Sequence, residues 1–333
     1  MSNERTLRQS YWAFLGAFAL ACGGSSPPPA DPSEPPPLDD SPSAAAPPAA
    51  ASSPKVKEGM DAIQAGDYAK AKALLDQAVK DSPRDAQAAF YLGVADEGLQ
   101  DGKSAADQYR QALALDPKLV EASTNLAGVL LDQNDAAGAL AAAKAGLANA
   151  PNSPALLRDK AVALEATGSK EMVPAFKAAV EAAPDDKEVR FLYAEALAES
   201  GDAAGATAQL KPILGSTDVA VLASAGRLLG KLKDFDDCVA ALDKAIGIKD
   251  DPELRVQRGI CKHGQNDDKG ARTDFEAAIA SDAKFAPAHY YLGQDKRTHG
   301  DKKGAKAELT KAAALDPSGA VGAAAKKALS ELK

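Results

Sequence analysis

Residues 86–117 read AQAAFYLGVADEGLQDGKSAADQYRQALALDP, and this stretch decides the fold. It has the pattern of two amphipathic helices that are joined by a short turn and closed by Pro117. Pro83 and Pro151 lie 34 residues to either side of that proline. A fixed period of 34 residues is typical of a solenoid built from helix–turn–helix units.

The same pattern continues to the end of the chain. Small residues recur where two helices would approach each other, large apolar residues recur between them, and a Gly-Asp or Asn-Asp pair marks most of the turns. In the stretch quoted above, the pattern is carried by Leu92, Gly93, Ala105, Tyr109, Ala112 and Pro117. These residues resemble the tetratricopeptide repeat. The resemblance implies an all-α, right-handed superhelical solenoid of about eight repeats with a C-terminal capping helix.

The resemblance also sets the boundaries of the repeats. The solenoid is expected over 55–333, with repeats near 52–85, 86–119, 120–153, 154–186, 187–218, 219–251, 252–285 and 286–317, and a cap helix over 319–332. The fifth repeat departs from the pattern because Pro212 falls inside its second helix. Proline blocks helix continuation, so we expect a shortened or kinked helix at this point.

The N-terminus has the pattern of an export signal over residues 1–21. Arg5 and Arg8 precede an uncharged apolar run that is too short to span a bilayer comfortably. The run ends in Ala19-Leu20-Ala21-Cys22, which resembles the lipobox of bacterial lipoproteins. That resemblance implies cleavage before Cys22, lipidation of Cys22, and, with Gly23 next, anchoring in the outer membrane facing the periplasm of a Gram-negative bacterium. An ordinary secretory signal and an uncleaved anchor remain alternatives.

Residues 22–54 join the expected anchor to the repeats. After Cys22 they consist almost entirely of Gly, Ser, Pro, Ala and a few acidic residues. Such a composition cannot bury enough apolar surface to offset the entropy of ordering, so we expect a disordered spacer.

The composition argues against several classes of function. The net charge of −8 disfavours nucleic-acid binding, which needs a basic face to neutralise phosphates. The sequence contains no nucleophile–base signature, Walker loop or dinucleotide-binding turn, so we expect no catalytic residues, no cofactor and no enzyme activity. Cys261 and His263 lie two residues apart on one expected helix and would not face the same metal, so we expect no metal site.

Cys238 and Cys261 fall on helices that would be neighbours in the stack. A disulfide between them is conceivable in an oxidising compartment. Two separate buried thiols at alanine-type positions are the favoured interpretation, because the position of Cys238 chiefly faces the first helix of its own repeat.

In the tetratricopeptide family the first helix of each repeat lines a concave groove that holds a partner. The resemblance places ten residues at groove positions: Phe90, Tyr91, Val94, Asn125, Arg158, Phe191, Arg227, Tyr290, Tyr291 and Arg297. Aromatic residues and arginines are the types that anchor interfaces, although each aromatic could equally be packing between repeats. The leading hypothesis is therefore a membrane-anchored periplasmic scaffold or assembly lipoprotein that binds protein or peptide segments in the groove, for example in pilus, secretin or outer-membrane assembly. A structural surface lipoprotein without a client is the alternative, and a ligand-binding or enzymatic protein is a weaker one.

Overall fold

The structure is a computed structural model and describes residues 53–332. The expected signal peptide, Cys22 and nearly all of the spacer lie outside these residues. Within them the secondary structure consists of seventeen α-helices and one 3-10 segment, with no strand. The prediction of an all-α helical repeat solenoid is confirmed. None of the described helices is both long and apolar enough to cross a membrane.

Contacts divide the described residues into two compact units between Gln209 and Leu210. We call residues 53–209 the N-terminal unit. Its helices are α1 (Pro54–Gln64), α2 (Tyr68–Asp81), α3 (Ala86–Gly98), α4 (Gly102–Leu115), α5 (Val120–Asp132), α6 (Ala136–Asn149), α7 (Pro154–Ala166), α8 (Met172–Ala182), α9 (Lys187–Glu199) and α10 (Ala203–Leu210), which ends at the division. Within each repeat, the odd-numbered helix is the first and the even-numbered helix is the second.

Residues 210–332 form the C-terminal unit. It begins with a 3-10 segment (Lys211–Gly215) and continues with α11 (Val219–Lys231), α12 (Phe235–Ile248), α13 (Pro252–Gly264), α14 (Asp268–Ser281), α15 (Ala286–Thr298), α16 (Lys302–Leu315) and α17 (Ala320–Glu331). The 3-10 segment contains Pro212, and α10 before it has only 8 residues. The expected shortening of the fifth repeat's second helix is therefore confirmed.

In seven of the eight repeats, the turn between the two helices uses the same local geometry. The residue before an aspartate adopts a left-handed backbone, as at Gly66 (φ 73°) and Gly300 (φ 83°), whereas in the fourth repeat Gly168 (φ 65°) is followed by Ser169. Gln100 and Lys233 occupy this conformation without being glycine. The aspartate that follows caps the second helix: Asp101, for example, accepts a hydrogen bond from the Ser104 backbone N–H at 3.1 Å.

Glycine in the first helix allows the two helices of a repeat to approach closely. A Cβ atom added at Gly93 would lie 2.6 Å from the ring of Tyr109, and one at Gly259 would lie 2.5 Å from Phe275. Both rings are buried. The small residues of the repeat pattern therefore leave the space that the large side chains of the second helix occupy.

Cys238 and Cys261 form a disulfide, so the favoured interpretation of two separate thiols was wrong. Their Cα atoms are 6.2 Å apart, and α12 packs directly against α13. The physical reason is that Cys238 lies where three helices meet. A Cβ atom at Gly230 of α11 would lie 3.5 Å from the Cys238 Sγ and 3.2 Å from the Cys261 Sγ, so the missing side chain leaves room for the bond.

A buried carboxylate organises the charges of the seventh repeat. Asp274 of α14 is 1% exposed and is surrounded by three cations of α13. Arg258 donates to it from Nε at 2.9 Å, Lys262 lies 2.9 Å away, and Arg255 lies 3.8 Å away. Arg258 occupies the position where the second repeat has Leu92, so an ionic cluster replaces an apolar contact.

Candidate functional site

The first helices of the N-terminal unit carry carboxylates on one face. We call this set the acidic face; it consists of Glu97, Glu121, Asp132, Glu165, Glu188, Glu195 and Glu199. On α9 the three glutamates are spaced by seven and four residues, which places them on one side of the helix. Half-buried Phe191 and Leu192 lie between them.

Phe90 and Tyr91 contribute little to the open surface of this unit. Each is 7% exposed. The Phe90 ring lies 5.1 Å from Tyr91 and 5.8 Å from the buried Tyr109, measured between ring centroids. Their main contribution is packing between helices, and Val94 of the same helix is half-buried.

Asn125 takes part in a polar network inside the unit. Its Nδ2 donates to the Tyr109 hydroxyl at 3.1 Å, and that hydroxyl donates to Glu97 Oε2 at 2.7 Å. Burial, and then the neighbouring carboxylate, raise the pKa of Tyr109, so the hydroxyl stays protonated as a donor. Asn125 therefore links α5 to the preceding repeat.

Arg158 pairs with the acidic residue next to it. Its Nε donates to Asp159 Oδ1 at 3.1 Å. Asp159 is 2% exposed, and its second oxygen, Oδ2, has no hydrogen-bond partner. Burial raises the pKa of Asp159, and Asp132 of the preceding first helix adds to the rise.

Carboxylates on successive first helices act on one another. Burial raises the pKa of Glu165 to about 7, with further contributions from Glu199 and Glu195 of α9. Asp132 likewise adds to the raised pKa of Glu97 of α3, where burial is again the main cause. The negative potential therefore extends across α3, α5, α7 and α9.

The acidic face has a sequence signal that the search for aromatic anchors missed. Glu97, Asp132, Glu165 and Glu199 lie 33 to 35 residues apart, close to the repeat period. A charge that recurs with the repeat falls at equivalent places on successive first helices.

The C-terminal unit has a concavity of about 450 Å³ between the first helices α11 and α13. One wall of the concavity is a single face of α11. The opposite wall is formed by the start of α13 and the residues just before it. The lining residues are Val219, Ala220, Ala223, Ser224, Arg227, Lys249, Asp251, Glu253, Leu254 and Gln257. Of the expected groove residues, Arg227 lies here.

The polar groups of this concavity can form hydrogen bonds to a peptide. Arg227 is exposed and donates to Ser224 Oγ at 3.1 Å. Gln257 donates to Glu253 Oε1 at 3.0 Å, while its own Oε1 is buried and has no partner. Burial raises the pKa of Glu253, and Arg227 opposes the rise. An exposed guanidinium and a carboxylate offer a donor and an acceptor to a polypeptide backbone.

The expected groove residues of the eighth repeat contact the chain itself. Tyr290 packs against the cluster that includes α17, and Arg297 Nη1 donates to Glu331 Oε2 of α17 at 2.9 Å. Tyr291 stacks on Phe275 with ring centroids 5.7 Å apart, and burial raises its pKa to about 12. The cap helix therefore uses this part of the first-helix face.

The histidines make structural contacts. His289 is 3% exposed and lies between Glu308 Oε2 at 2.6 Å and the Ala283 carbonyl at 3.0 Å. His263 and His299 both bond to Asp268. Within residues 53–332, no three His, Cys, Asp or Glu side chains converge on a position that could hold a metal ion.

Comparison with known families identifies the repeat. A tetratricopeptide-repeat model matches residues 56–120, 97–154 and 173–211, and a second tetratricopeptide-repeat model matches 219–252. Together these matches span just over half of the chain. The chain belongs to the tetratricopeptide-repeat family. No curated protein matches it by sequence.

Solved tetratricopeptide-repeat structures share its fold. PilF of Pseudomonas aeruginosa is 18% identical, with 59% of this chain and 90% of that chain covered and a TM-score of 0.50. PilW, described as a widely conserved type IV pilus biogenesis factor, is also 18% identical, with 58% and 91% covered and a TM-score of 0.51. At this level of identity the likeness concerns the fold.

Proposed function

We propose that this tetratricopeptide-repeat protein is a scaffold lipoprotein. In this proposal, Cys22 is lipidated and anchors the protein in the outer membrane, the spacer leads into the periplasm, and the first-helix surfaces hold segments of protein partners during assembly of an envelope machine. Pilus assembly is the first process to test, since PilW shares the fold and is described as a pilus biogenesis factor.

The concavity between α11 and α13 is the observation that carries this proposal. It lies on first helices, where the family binds partners, and its polar groups are open to a ligand. The side chains of Arg227 and Glu253 can bond to backbone groups, while Leu254 and Val219 supply apolar contact. A binding role needs only this complementarity, whereas catalysis would need a nucleophile and a base in mutual contact.

The disulfide supports an envelope location. Disulfides persist in oxidising compartments such as the periplasm and are rare in the cytosol. The buried Cys238–Cys261 pair is therefore consistent with export by the N-terminal signal.

The partner site is tested with two matched substitutions in the C-terminal unit. Ala220 lines the concavity, and Ala240 lies on the second helix α12; both are exposed. We expect Ala220→Trp to fill the concavity and to reduce partner recovery from detergent-solubilised membranes at least tenfold, while Ala240→Trp leaves recovery unchanged. Equal recovery with both variants, or no specific partner with the unsubstituted protein, would contradict the proposal.

The anchor is tested by Cys22→Ser. This substitution removes the only acceptor thiol in the lipobox, so we expect loss of acyl labelling and release from the membrane fraction. The matched control is Ser25→Cys in the Cys22→Ser background, which restores a thiol outside the lipobox and should not restore labelling. Retention of the acyl label in Cys22→Ser would refute lipidation at this position.

A further inference from the structure

Two cations of the concavity between α11 and α13 have no anionic partner. Arg227 of α11 and Lys249, which precedes α13, both line the concavity and are exposed. Arg227 donates to the neutral hydroxyl of Ser224 at 3.1 Å. Within residues 53–332, the ion pairs of this unit involve other side chains and neither of these two cations. Both positive charges are therefore available to a ligand.

The two acidic residues of the concavity differ from the cations, since each accepts a hydrogen bond from its own chain. Asp251 caps α13, and its Oδ1 accepts from the Glu253 backbone N–H at 2.9 Å. Glu253 Oε1 accepts from Gln257 Nε2 at 3.0 Å. Arg227 acts on Glu253 electrostatically, yet the two side chains do not form an ion pair. A ligand that brings a carboxylate would therefore complement the concavity, because the acids already have donors and the cations have no anion.

Ile260 provides an independent, apolar indication on the same wall. Glu253, Gln257 and Ile260 are spaced by four and three residues, so they share one face of α13. The Ile260 side chain is 37% exposed. A single exposed apolar residue is ordinary on a protein surface, and the other large ones in residues 53–332 lie at helix ends: Leu99, Leu115, Ile248 and Leu315. Ile260 lies instead within a first helix and one turn beyond the concavity, where a bound segment would cover it.

The dimensions of the concavity suit a short extended segment. Its volume of about 450 Å³ is typical of a small ligand pocket, whereas a helix with its side chains is about 10–12 Å across. Ile260 lies seven residues after Glu253, which corresponds to about 10 Å along α13. An extended segment rises about 3.3 Å per residue, so about three residues cover this distance.

We propose that the concavity between α11 and α13 binds an extended protein segment that carries an internal Asp or Glu and a large apolar residue. The acidic side chain pairs with Arg227 and Lys249, and the apolar side chain, about two to four residues away, covers Ile260. This inference rests on the proposed scaffold function and specifies the chemistry of the partner.

The proposal is tested with a labelled peptide of about twelve serine and alanine residues that carries glutamate and leucine four residues apart, on one side of an extended chain. Its ends are blocked, so the glutamate supplies the only carboxylate. One matched peptide has glutamine in place of glutamate, and a second has alanine in place of leucine. A third has glutamine in place of glutamate and a free C-terminus. Fluorescence anisotropy at low ionic strength measures the affinity of each peptide for the full chain.

The variant Arg227→Gln/Lys249→Gln removes the two cations. The control Lys269→Gln/Lys306→Gln changes the net charge equally at exposed residues of the second helices α14 and α16. All four side chains are exposed, so each variant should keep the urea midpoint of the unsubstituted protein, which is measured first.

We expect the glutamate–leucine peptide to bind, and the glutamine peptide to bind at least tenfold more weakly. The variant Arg227→Gln/Lys249→Gln should weaken binding of the first peptide at least tenfold, and the control pair less than twofold. Equal weakening by both pairs would show general charge attraction and overturn the proposal. Binding of the peptide with the free C-terminus alone would identify recognition of a chain terminus and also overturn it, as would the absence of any binding.

The apolar contact has its own matched test. Ile260→Ser should weaken binding of the glutamate–leucine peptide at least threefold, while Leu315→Ser, at a residue of similar exposure (38%) at the end of α16, should change it less than twofold. With the alanine peptide, Ile260→Ser should cause no further loss, because the side chain that covers Ile260 is already absent. Equal losses with both peptides would mean that the leucine does not contact Ile260, and would overturn the proposal.

The test separates this inference from the scaffold function. If recovery of a membrane partner is lost with Ala220→Trp but none of the peptides binds, this inference fails alone. If the glutamate–leucine peptide binds as expected but no membrane partner is recovered, the proposed scaffold function fails instead.

Discussion

Asp274→Ala is expected to lower the free energy of unfolding of the C-terminal unit by about 3 kcal/mol, the lower end of the range for breaking a buried ion pair. Three cations of α13 surround this carboxylate, and its removal leaves them facing one another without a counter-charge. The effect stays near the lower end because the side chains of Arg258 and Lys262 keep 15% and 20% exposure and can recruit water. Urea unfolding monitored by hydrogen exchange would measure this loss of stability.

The matched control for this substitution is the double variant Arg258→Leu/Asp274→Ala. It restores leucine at the position of Leu92 and removes the most buried of the three cations together with the carboxylate. Replacing a buried ion pair by apolar groups is often neutral, so the double variant should lose less stability than Asp274→Ala alone. If Asp274→Ala were as stable as the unsubstituted protein, the charged cluster would not hold α13 against α14.

Removal of the disulfide is expected to lower the stability of the C-terminal unit by about 3 kcal/mol. The bond closes a loop with a sequence separation of 23 residues, and in the chain-entropy model a loop of this length contributes about 3 kcal/mol by restricting the unfolded state. The test uses Cys238→Ala/Cys261→Ala in a Cys22→Ser background, so that this pair alone responds to reductant. Alanine suits both positions, because each thiol lies at a small buried position of the repeat.

Reductant serves as the internal control. Dithiothreitol should lower the urea midpoint of the Cys22→Ser protein to that of the double alanine variant, whose own midpoint should not move. An unchanged midpoint for the Cys22→Ser protein after complete reduction would show that the bond does not stabilise the unit.

The period of the sequence was sufficient to predict the fold. Prolines 34 residues apart, the aspartate caps and the small residues at helix contacts are local signals that repeat, so each copy supports the others. Pro212 likewise predicted the short second helix of the fifth repeat, because proline acts locally on the helix that contains it.

Properties that depend on neighbouring elements were harder to predict. The template places Phe90 and Tyr91 at groove positions, yet their burial depends on how Tyr109 and the adjacent helices close over them. Tyr290 and Arg297 are similarly covered by α17. The sequence left the disulfide as the less favoured of two alternatives, because its formation depends on the space that Gly230 leaves beside two other helices.

The acidic face was only partly predictable from the sequence. Its carboxylates follow the repeat period and were visible in the sequence, but their mutual effect on the pKa of Glu165 depends on the distances between α7 and α9. Aromatic anchors alone do not reveal a surface whose main feature is its charge.

Position-resolved photocrosslinking in the cells that make this protein tests the central claim most directly. A photoreactive amino acid would replace Ala220 or Glu188 on first helices, or Ala240 or Glu181 on second helices; all four residues are exposed. The account predicts discrete crosslinked partner bands from the first-helix positions and none from the second-helix positions. Crosslinks of equal strength from both sets, or from the second helices alone, would contradict partner capture on the first-helix surfaces.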